Sequence, residues 1–441
     1  MSQAAVLASL AAEPGRPRHG LDLVREAGVS SGSLYPVLVR LQRAGLVEAH
    51  WTAGRRAYRL TGPAPAVTGQ RSSRTALLWL PAALAALITA WAVLARPAHV
   101  RLSDLGVYTG AVEGLTHGAS LYDFISAGNA PFTYPPFAGL VFLPLADVPT
   151  LPLQLAWTLA TIVTVAGLAL LLGRRAPAYA LILVLSAPVS SDLKYGQVSL
   201  FLAALIAVDL LTLRHSRWQG LLIGLAAAIK LTPLIFIPLL WFAGRRRAAV
   251  LASATFAACG VLAAVALPGD SWRFWTTEIS HVSRLGYITS VGNQSLNGAL
   301  LRVELSAPVR SAVVLVAGGV IAALALHRAT RRARDGDWFS ALVLTGAASV
   351  VLSPVSWTHH QIWLVLAVLL PVRGPAWARR AWPALVLVVM LLPVPALGPP
   401  LWSNSRLLLA ITIAALLPLS RSALPTRRCA PGREPAKQQI P

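Results

Sequence analysis

Residues 75–95 read TALLWLPAALAALITAWAVLA, an apolar stretch without a charged side chain, and Arg101-Leu-Ser-Asp-Leu-Gly-Val-Tyr108 follows shortly after it. A stretch of about 20 apolar residues is long enough to cross a membrane as one helix. Asp104 is the first acidic residue after that crossing, so we predict that it emerges at one membrane face. A carboxylate in this place either belongs to a site or caps an interfacial helix, and both occur at such positions.

The composition of the whole chain favours lipid as its solvent. Of the 441 residues, 56% are hydrophobic and only 12% are charged, about half the charged share of a soluble protein. The 38 lysines and arginines outnumber the 16 acidic residues. In a membrane protein such an excess is concentrated in cytoplasmic loops. The two cysteines, Cys259 and Cys429, are too few for a disulfide framework or a cysteine metal site.

Apolar segments recur over residues 75–420, with basic clusters between them. If all these clusters lie in the cytoplasm, the chain crosses the membrane about 12 times and both termini are cytoplasmic. We therefore predict an all-α polytopic membrane protein. Several segments are shorter than the ~20 residues of a straight span, so broken helices are expected. The predicted segments are 75–95, 136–172, 177–190, 197–213, 218–230, 232–243, 247–267, 309–327, 338–353, 359–372, 381–397 and 405–420.

Residues 1–61 show a different pattern, typical of a small soluble domain. Two helical stretches, 4–12 and 19–27, precede a third helix that the serines after Val29 can cap. Two short strands, 47–51 and 57–61, complete the order of a winged helix-turn-helix. We expect the third helix to bury one face, made of Leu34, Val37, Leu38 and Leu41. A Pro/Gly/Ser linker is predicted over 62–74, and a disordered basic cytoplasmic tail over 421–441.

This N-terminal segment resembles the PadR-like transcriptional regulators. It contains Ser31-Gly-Ser-Leu-Tyr-Pro36 followed by Arg40-Leu-Gln-Arg-Ala-Gly-Leu46, as the recognition helix of that family often does. The resemblance implies DNA binding, with the third helix in the major groove and the hairpin as the wing. The long dimerisation helix of the family is missing, so a vestigial or fused domain is the alternative. The implied DNA-facing residues are Ser31, Ser33, Tyr35 and Arg40 on the helix, with Arg55 and Arg56 on the wing.

Polar residues that are costly in a membrane recur in the intervals left on the outer side by this topology. One such residue alone is explained by a snorkelling lysine or a capped helix end. Several groups on the same face favour one shared polar cavity, because intramembrane ionisable residues are functional candidates by default. The groups are Asp104 with Tyr108 and Tyr134, Lys194 with Gln197, Lys230, Asn293 with Gln294, and Trp357 with His359 and His360.

These residue types suit an anionic ligand such as a phosphate, held beside one general base. They do not suit a metal, because paired carboxylates with a histidine at ligand spacing are missing. The adjacent His359 and His360 would also point in different directions on a helix. The sequence contains no Gly-rich phosphate loop or Walker motif, so a nucleotide donor is not expected. Neither a metal nor a cofactor is predicted.

The same motifs, in order along the chain, resemble glycosyltransferase family 87 over about residues 75–420. The resemblance implies a GT-C fold and transfer of a hexose, first of all mannose, from a polyprenyl-phosphate sugar donor to a glycan or glycolipid acceptor. It places the reaction on the extracytoplasmic face of the plasma membrane. A departure from the family is Asp192-Leu-Lys194, where many relatives have an asparagine. The motifs are Asp104-Leu-Gly-Val-Tyr108, Leu121-Tyr122, Phe132-Thr-Tyr-Pro-Pro136, Lys194-Tyr-Gly-Gln197, Ala228-Ile-Lys230-Leu-Thr-Pro233, Gly292-Asn-Gln-Ser295 and Ser356-Trp-Thr-His-His360.

The resemblance also implies a role for each group. Asp104 would be the general base of an inverting displacement. The cations Lys230, His359 or His360, and Lys194 would stabilise the leaving phosphate. The amides would hydrogen-bond the sugar and the aromatic side chains would line the pocket; these are Gln197, Asn293 and Gln294, and Tyr108, Tyr134 and Trp357.

Two other functions fit parts of the sequence. A membrane-tethered transcription regulator that senses a lipid would use residues 1–61 as its output and would not need Asp104. A lipid-sugar transporter would show inverted repeats of its helical pattern in the two halves. The outer loops 96–135 and 268–308 do not correspond in sequence, so the transporter ranks below the enzyme and the sensor.

Overall fold

The computed structural model describes residues 2–13, 17–43, 45–52, 55–61, 76–281, 284 and 286–420. The chain divides into two compact units, Met1–Leu77 and Leu78–Pro441. The predicted linker 62–74 and the predicted tail 421–441 lie outside the described residues.

The first unit has the helices and strands that the sequence predicts for a winged helix. Its elements are α1 (Ser2–Ala12), β1 (Arg18–His19), α2 (Gly20–Ala27), α3 (Ser31–Arg43), β2 (Val47–Thr52) and β3 (Arg55–Leu60). The strands form an antiparallel sheet in the order β1-β3-β2. Strand β1 was not predicted, since two residues are too short to show an alternating pattern.

The core of this unit contains the predicted face of α3. Leu34, Val37, Leu38 and Leu41 are all buried there, together with Val6 and Leu10 of α1. A helix buries the residues that recur every three or four positions, because these share one side. The prediction of the buried face is therefore confirmed.

The regular secondary structure in the described part of the second unit is helical, apart from isolated bridges. Its α-helices are α4 (Leu80–Leu94), α5 (Ser103–Thr116), α6 (Pro136–Phe142), α7 (Thr150–Leu172), α8 (Ala176–Leu185), α9 (Ala187–Tyr195), α10 (Ser199–Leu211), α11 (Leu221–Ile229), α12 (Phe236–Phe242), α13 (Arg246–Ala266), α14 (Pro268–Thr276), α15 (Leu296–Leu301), α16 (Ala307–Arg334), α17 (Trp338–Leu352), α18 (Ile362–Leu366), α19 (Ala376–Leu391), α20 (Pro400–Ser403) and α21 (Ser405–Ile411). Short 3-10 helices include Thr232–Ile235, Glu278–Ser280 and Thr358–His360.

Three helices of this unit are long and apolar enough to cross a membrane by themselves, namely α7, α13 and α16. Helices α8 and α9 together form a fourth candidate, bent by 64° at Ser186. The other apolar helices are shorter, as expected for broken helices beside a cavity. The chain is therefore a mostly helical membrane protein, and the figure of about 12 crossings stays a prediction.

Helices α11 and α13 pack with their backbones in direct contact. A Cβ atom added to Gly220 would lie 2.0 Å from the carbonyl oxygen of Ala248, and one added to Gly224 would lie 2.3 Å from that of Ala252. The two glycines are four residues apart, and so are the two alanines that they contact in the same order. The two helices therefore run parallel. Small residues at this spacing allow such close approach of helices in a membrane.

Lys230 lies where the chain breaks between α11 and the following 3-10 helix. Its backbone is extended, with φ −150° and ψ 131°, so it interrupts the helix. At the other end of α11, the buried carboxylate of Asp209 accepts hydrogen bonds from the amides of Gly220 (2.8 Å) and Leu222 (3.0 Å). These bonds satisfy donors that a helix start leaves free. Asp209 is thus accounted for as a helix cap.

Candidate active site

A cavity of about 580 Å³ lies in the second unit, lined by separate stretches of the chain between Asp104 and His360. This volume is within the usual range of small-ligand sites. Eight of the eleven predicted catalytic and substrate-binding residues line it; they are Asp104, Tyr108, Tyr134, Gln197, Lys230, Trp357, His359 and His360. The remaining three, Lys194, Asn293 and Gln294, are not among the lining residues.

Asp104 lies in the first turn of α5, next to a strained residue. Leu102, which precedes the helix, is fully buried and has φ 43° and ψ 49°. A bulky residue rarely adopts this left-handed conformation, and such strain costs about 1–3 kcal/mol. The Ser103 hydroxyl donates to Asp104 Oδ1 at 3.2 Å, and Gln197 Nε2 donates to Oδ2. Both oxygens of the carboxylate are thereby oriented.

Burial raises the pKa of the Asp104 carboxyl above its usual value, because desolvation disfavours the charged form. The hydrogen bonds from Gln197 and Ser103, and the nearby charge of Lys230, act in the opposite direction. A carboxylate with a raised pKa is a stronger base than an exposed one, which suits proton abstraction near neutral pH.

Gln197 follows a glycine that nothing larger could replace without movement. Gly196 ends α9 with φ 69°, and a Cβ atom there would lie 2.8 Å from Leu105 Cβ and 2.9 Å from Leu102 Cβ. The backbone before Gln197 is therefore pressed against the start of α5. This contact brings the Gln197 amide to Asp104.

Two tyrosines hold the other end of the Gln197 amide. Tyr108 Oη and Tyr134 Oη each donate to Gln197 Oε1 at 3.0 Å and lie 2.9 Å from each other. All three side chains are largely buried. The sequence resemblance implies that Gln197 binds sugar hydroxyls, but here its oxygen accepts from both phenols and one of its two N–H groups donates to Asp104.

Lys230 provides a cation in the cavity, next to His360. Its Nζ lies 2.7 Å from His360 Nε2, 3.4 Å from Ser199 Oγ and 5.2 Å from the centre of the Tyr134 ring. An ammonium has three protons, so it can donate to the neutral imidazole and to the serine and still offer one to a ligand. The ring face adds a cation–π contact.

His359 and His360 both reach the cavity, although neighbours on an α-helix would diverge. They lie in the 3-10 helix Thr358–His360, and their ring centres are 4.5 Å apart at nearly a right angle. His359 Nδ1 lies 3.5 Å from Ser191 Oγ, whereas His360 faces Lys230. The two rings thus lie side by side at the cavity but meet different hydrogen-bonding partners.

Asn293 and Gln294 have a different position from the one the sequence suggests. Asn293 is fully buried; its Oδ1 accepts from the amides of Ser295 and Ser356, and its Nδ2 donates to the carbonyl of Ile288. Gln294 likewise donates to Ser403 O and accepts from the Leu407 amide. Both side chains satisfy backbone groups, so they hold the loop before Trp357 in place rather than reach a sugar.

Lys194 is half-buried at the end of α9, with its Nζ 4.7 Å from the centre of the Tyr195 ring. Tyr195 itself lines the cavity. The structure therefore does not bring Lys194 to the Lys230–His360 pair, and its nearest described partner is an aromatic ring.

A charged group on the wall of the cavity was not predicted from the sequence. Glu278 accepts from Arg273 at 2.9 Å and from Arg284, and Arg284 also donates to the carbonyl of Tyr122 at 2.8 Å. Arg273 in turn pairs with Asp123. The available signal was Arg273 and Arg284 in the loop 268–308, which the predicted topology places on the side where basic residues are few.

Within the described ranges, no group of three His, Cys, Asp or Glu is arranged to hold a metal ion. The arrangement that the cavity does contain is a hydrogen-bonded carboxylate facing a lysine–histidine pair. It can accept a proton at one point and stabilise a developing negative charge at another.

The surface of the first unit that is predicted to bind DNA includes the exposed side of α3. Ser33, Tyr35 and Arg40 are exposed there, and Arg56 is exposed on β3. The side chains of Ser31 and Arg55 lie outside the described residues. Arg40 Nε donates to the Pro36 carbonyl at 3.1 Å, which turns its guanidinium along the helix.

Comparison with known families gives two matches. The model of glycosyltransferase family 87 matches residues 132–354, and that of the transcriptional regulator PadR-like family matches residues 6–63. The first range contains Tyr134, Gln197 and Lys230, whereas Asp104 precedes it and His359 follows it. No solved structure matches the chain significantly.

Curated relatives are mycobacterial enzymes. A polyprenol-phosphate-mannose-dependent alpha-(1-2)-phosphatidylinositol mannoside mannosyltransferase of Mycobacterium tuberculosis is 34% identical over 335 residues, which cover 69% of this chain and 77% of that protein. A polyprenol-phosphate-mannose-dependent alpha-(1-2)-phosphatidylinositol pentamannoside mannosyltransferase of Mycolicibacterium smegmatis is 33% identical over 379 residues. These residues cover 78% of this chain and 89% of that protein.

Proposed function

The chain belongs to glycosyltransferase family 87, and on that premise we propose that it transfers a hexose, first of all mannose, from a polyprenyl-phosphate sugar to a glycolipid or glycan acceptor. The observation that carries this proposal is the cavity in which Asp104 faces the Lys230–His360 pair. The names of the relatives support mannose as the sugar and a phosphatidylinositol mannoside as the first acceptor to test.

Asp104 acts as the general base in this mechanism. One of its carboxylate oxygens accepts the proton of an acceptor hydroxyl, whose oxygen forms the new bond to the anomeric carbon. The bond from that carbon to the phosphate oxygen breaks, and the electron pair leaves with the polyprenyl phosphate. A single displacement needs one base and no enzyme nucleophile, and it inverts the anomeric configuration.

The Lys230–His360 pair stabilises the leaving phosphate. Negative charge increases on the bridging oxygen as the bond breaks, so a fixed cation lowers the energy of the transition state more than that of the ground state. Lys230 is held by His360, Ser199 and the Tyr134 ring. Because these contacts exist before the donor arrives, little reorganisation is needed. His359 and Trp357 complete the wall around the donor sugar.

We propose a GT-C fold in the plasma membrane, with both termini in the cytoplasm and the cavity on the extracytoplasmic side. The support is the distribution of basic residues. Arg245, Arg246 and Arg247 lie at the start of α13, and Arg331, Arg332 and Arg334 lie in the last turn of α16. Both clusters belong on the cytoplasmic side by the positive-inside rule, and the cavity residues come from the opposite ends of the helices in the predicted topology.

Transfer by the purified chain in liposomes tests the proposed function. With radiolabelled polyprenyl-phosphate mannose and a phosphatidylinositol mannoside acceptor, we expect label in a product one hexose larger. GDP-mannose in place of the lipid-linked donor is expected to give no product. Product formed from GDP-mannose alone, or no turnover from the lipid-linked donor with any glycolipid or glycan acceptor, would contradict the proposal.

A second function, DNA binding by residues 1–61, is favoured by the exposed side of α3 and the PadR-like match. The transferase should not depend on it, because the cavity residues all lie in the second unit. Deleting residues 1–65 is expected to leave the transfer rate within about twofold and to remove any salt-dependent binding of duplex DNA. Loss of transfer in a deletion variant that still folds would show that the first unit is part of the enzyme.

A further inference from the structure

Four side chains of the second unit form a hydrogen-bonded network, in which Gln197 links Asp104 to Tyr108 and Tyr134. Gln197 Nε2 donates to Asp104 Oδ2, while Gln197 Oε1 accepts from Tyr108 and Tyr134. A carboxylate can only accept hydrogen bonds, so the amide nitrogen must face Asp104 and the amide oxygen must face the phenols. The carboxylate thereby determines which way the amide is turned, and the two phenols, which donate to the amide oxygen, hold it in that orientation.

The backbone around this hydrogen-bonded network holds the Gln197 amide close to the Asp104 carboxylate. Leu102 is in the left-handed conformation immediately before Ser103 and Asp104, and Gly196 has φ 69° immediately before Gln197. A Cβ atom on Gly196 would lie within 2.9 Å of Leu102 Cβ. Gly196 is an ordinary left-handed helix end, but Leu102 is strained, and it contacts that glycine next to both partners of the hydrogen bond. Strain of the Leu102 kind is concentrated at functional sites.

We propose that Gln197, held by Tyr108 and Tyr134, is the positioning residue of the general base: it fixes Asp104 Oδ2, so that Oδ1, which keeps a lone pair beside its 3.2 Å hydrogen bond from Ser103, is the oxygen that accepts the proton. This inference rests on the proposed function, because it assigns a task within that reaction. It differs from the role that the sequence resemblance implies, in which Gln197 hydrogen-bonds the sugar.

The pH dependence of the rate follows from the same contacts. The groups around Asp104 are Ser103 on its own helix, Gln197, Tyr108 and Tyr134, the buried carboxylate of Asp192 on α9, and Lys230. A base works only when ionised, and burial raises the pKa of Asp104. The rate of the unaltered protein should therefore rise with pH, with its midpoint above that of an exposed aspartate, which titrates near ~4.

Removal of the Gln197 amide tests the inference. Gln197→Met keeps the volume but loses the donor that stabilises the carboxylate. We expect kcat to fall by about 10–100-fold through misplacement of the base. The acid limb of the kcat profile should move up by about one pH unit, the size expected for the loss of one charge-assisted hydrogen bond. Donor affinity should change little, because the lysine–histidine pair is untouched.

Gln197→Glu is the second variant, because it has the shape of the native side chain and can still accept from both phenols. It places a second carboxylate next to Asp104, and two such groups repel each other when both are ionised. The acid limb should therefore move up in this variant as well. Gln219→Met serves as the matched control, because Gln219 is equally buried but does not line the cavity. The acid limb of its kcat profile should lie at the same pH as in the unaltered protein.

The outcomes separate this inference from the proposed function. If both Gln197 variants lower kcat without moving the acid limb of its pH profile, then Gln197 does not position the base and the inference is overturned. The same holds if the variants change neither kcat nor the pH of the acid limb. If Asp104→Asn is inactive in the same assay, the proposed function stands even then. If Asp104→Asn is active, the assignment of the base itself is wrong.

Discussion

Replacing Asp104 with asparagine is expected to abolish sugar transfer while leaving donor binding measurable. Asparagine has the size of aspartate and can still meet Gln197, but it cannot accept a proton at neutral pH. Loss of a general base lowers a rate by ~10²–10⁴, which is near the detection limit of a membrane assay. The measurement is transfer of labelled mannose in liposomes, with donor affinity determined separately on the same purified variant.

Asp123→Asn is the matched control for this variant. Asp123 is exposed and pairs with Arg273 Nη1 at 2.5 Å, and this hydrogen bond lowers the pKa of its carboxyl. A group with a lowered pKa is a weaker base, so we expect transfer within a few-fold of the unaltered protein. Near-native turnover by Asp104→Asn would contradict the assignment of Asp104 as the general base. Asp123 or Glu113, the next acids along the chain, would then be the candidates for the base, and a lipid sensor would become the leading alternative if neither mattered.

Replacing Lys230 with alanine is expected to weaken both catalysis and donor binding. The charge of Lys230 contacts the donor phosphate before the reaction as well as during it, so the variant should lose affinity and rate together. Removing one group that stabilises a developing anion costs about 10²–10³ in kcat. Loss of one charged contact weakens binding by roughly tenfold. The result is measured as kcat and donor Kd of the same purified variant.

Lys194→Ala is the matched control, because Lys194 is the other lysine that the sequence assigns to the phosphate. It does not line the cavity and lies against the Tyr195 ring. We expect its kcat and donor affinity to stay within about threefold of the native values. If Lys194→Ala weakened donor binding as much as Lys230→Ala, the phosphate would not be held at the Lys230–His360 pair.

The sequence predicted which stretches meet, because ionisable side chains are too costly in a membrane to be scattered without reason. Asp104, Lys230 and His360 come from three distant stretches, yet all line one cavity. The winged-helix unit was also predictable, since the periodicity of α3 and the two strands are local signals. Both predictions depend on residue type and order alone.

The task of each amide could not be predicted in the same way. Gln197, Asn293 and Gln294 have the same functional group, and an amide bonds a backbone, a side chain or a ligand equally well. Only the fold decides that Asn293 meets Ser356 while Gln197 meets Asp104. The helix breaks were equally hard to locate, because the composition of an apolar run does not record where its backbone is interrupted.

The close contact at Gly196 also depends on tertiary structure. Glycine before a polar residue is typical of a helix end, and Gly196 does end α9. What the sequence cannot indicate is that Leu102 and Leu105 lie within van der Waals distance of that glycine. The position of the base thus depends on a contact between segments that are far apart in the chain.

The most direct test of the single-base mechanism is the anomeric configuration of the product, determined by NMR on the newly added sugar. A single displacement with Asp104 as the base predicts inversion relative to the polyprenyl-phosphate donor. Among the described residues that line the cavity, the one other carboxylate is Glu278, which is held by Arg273 and Arg284. Retention of the donor configuration is incompatible with one direct back-side displacement and would contradict the role of Asp104 as its general base.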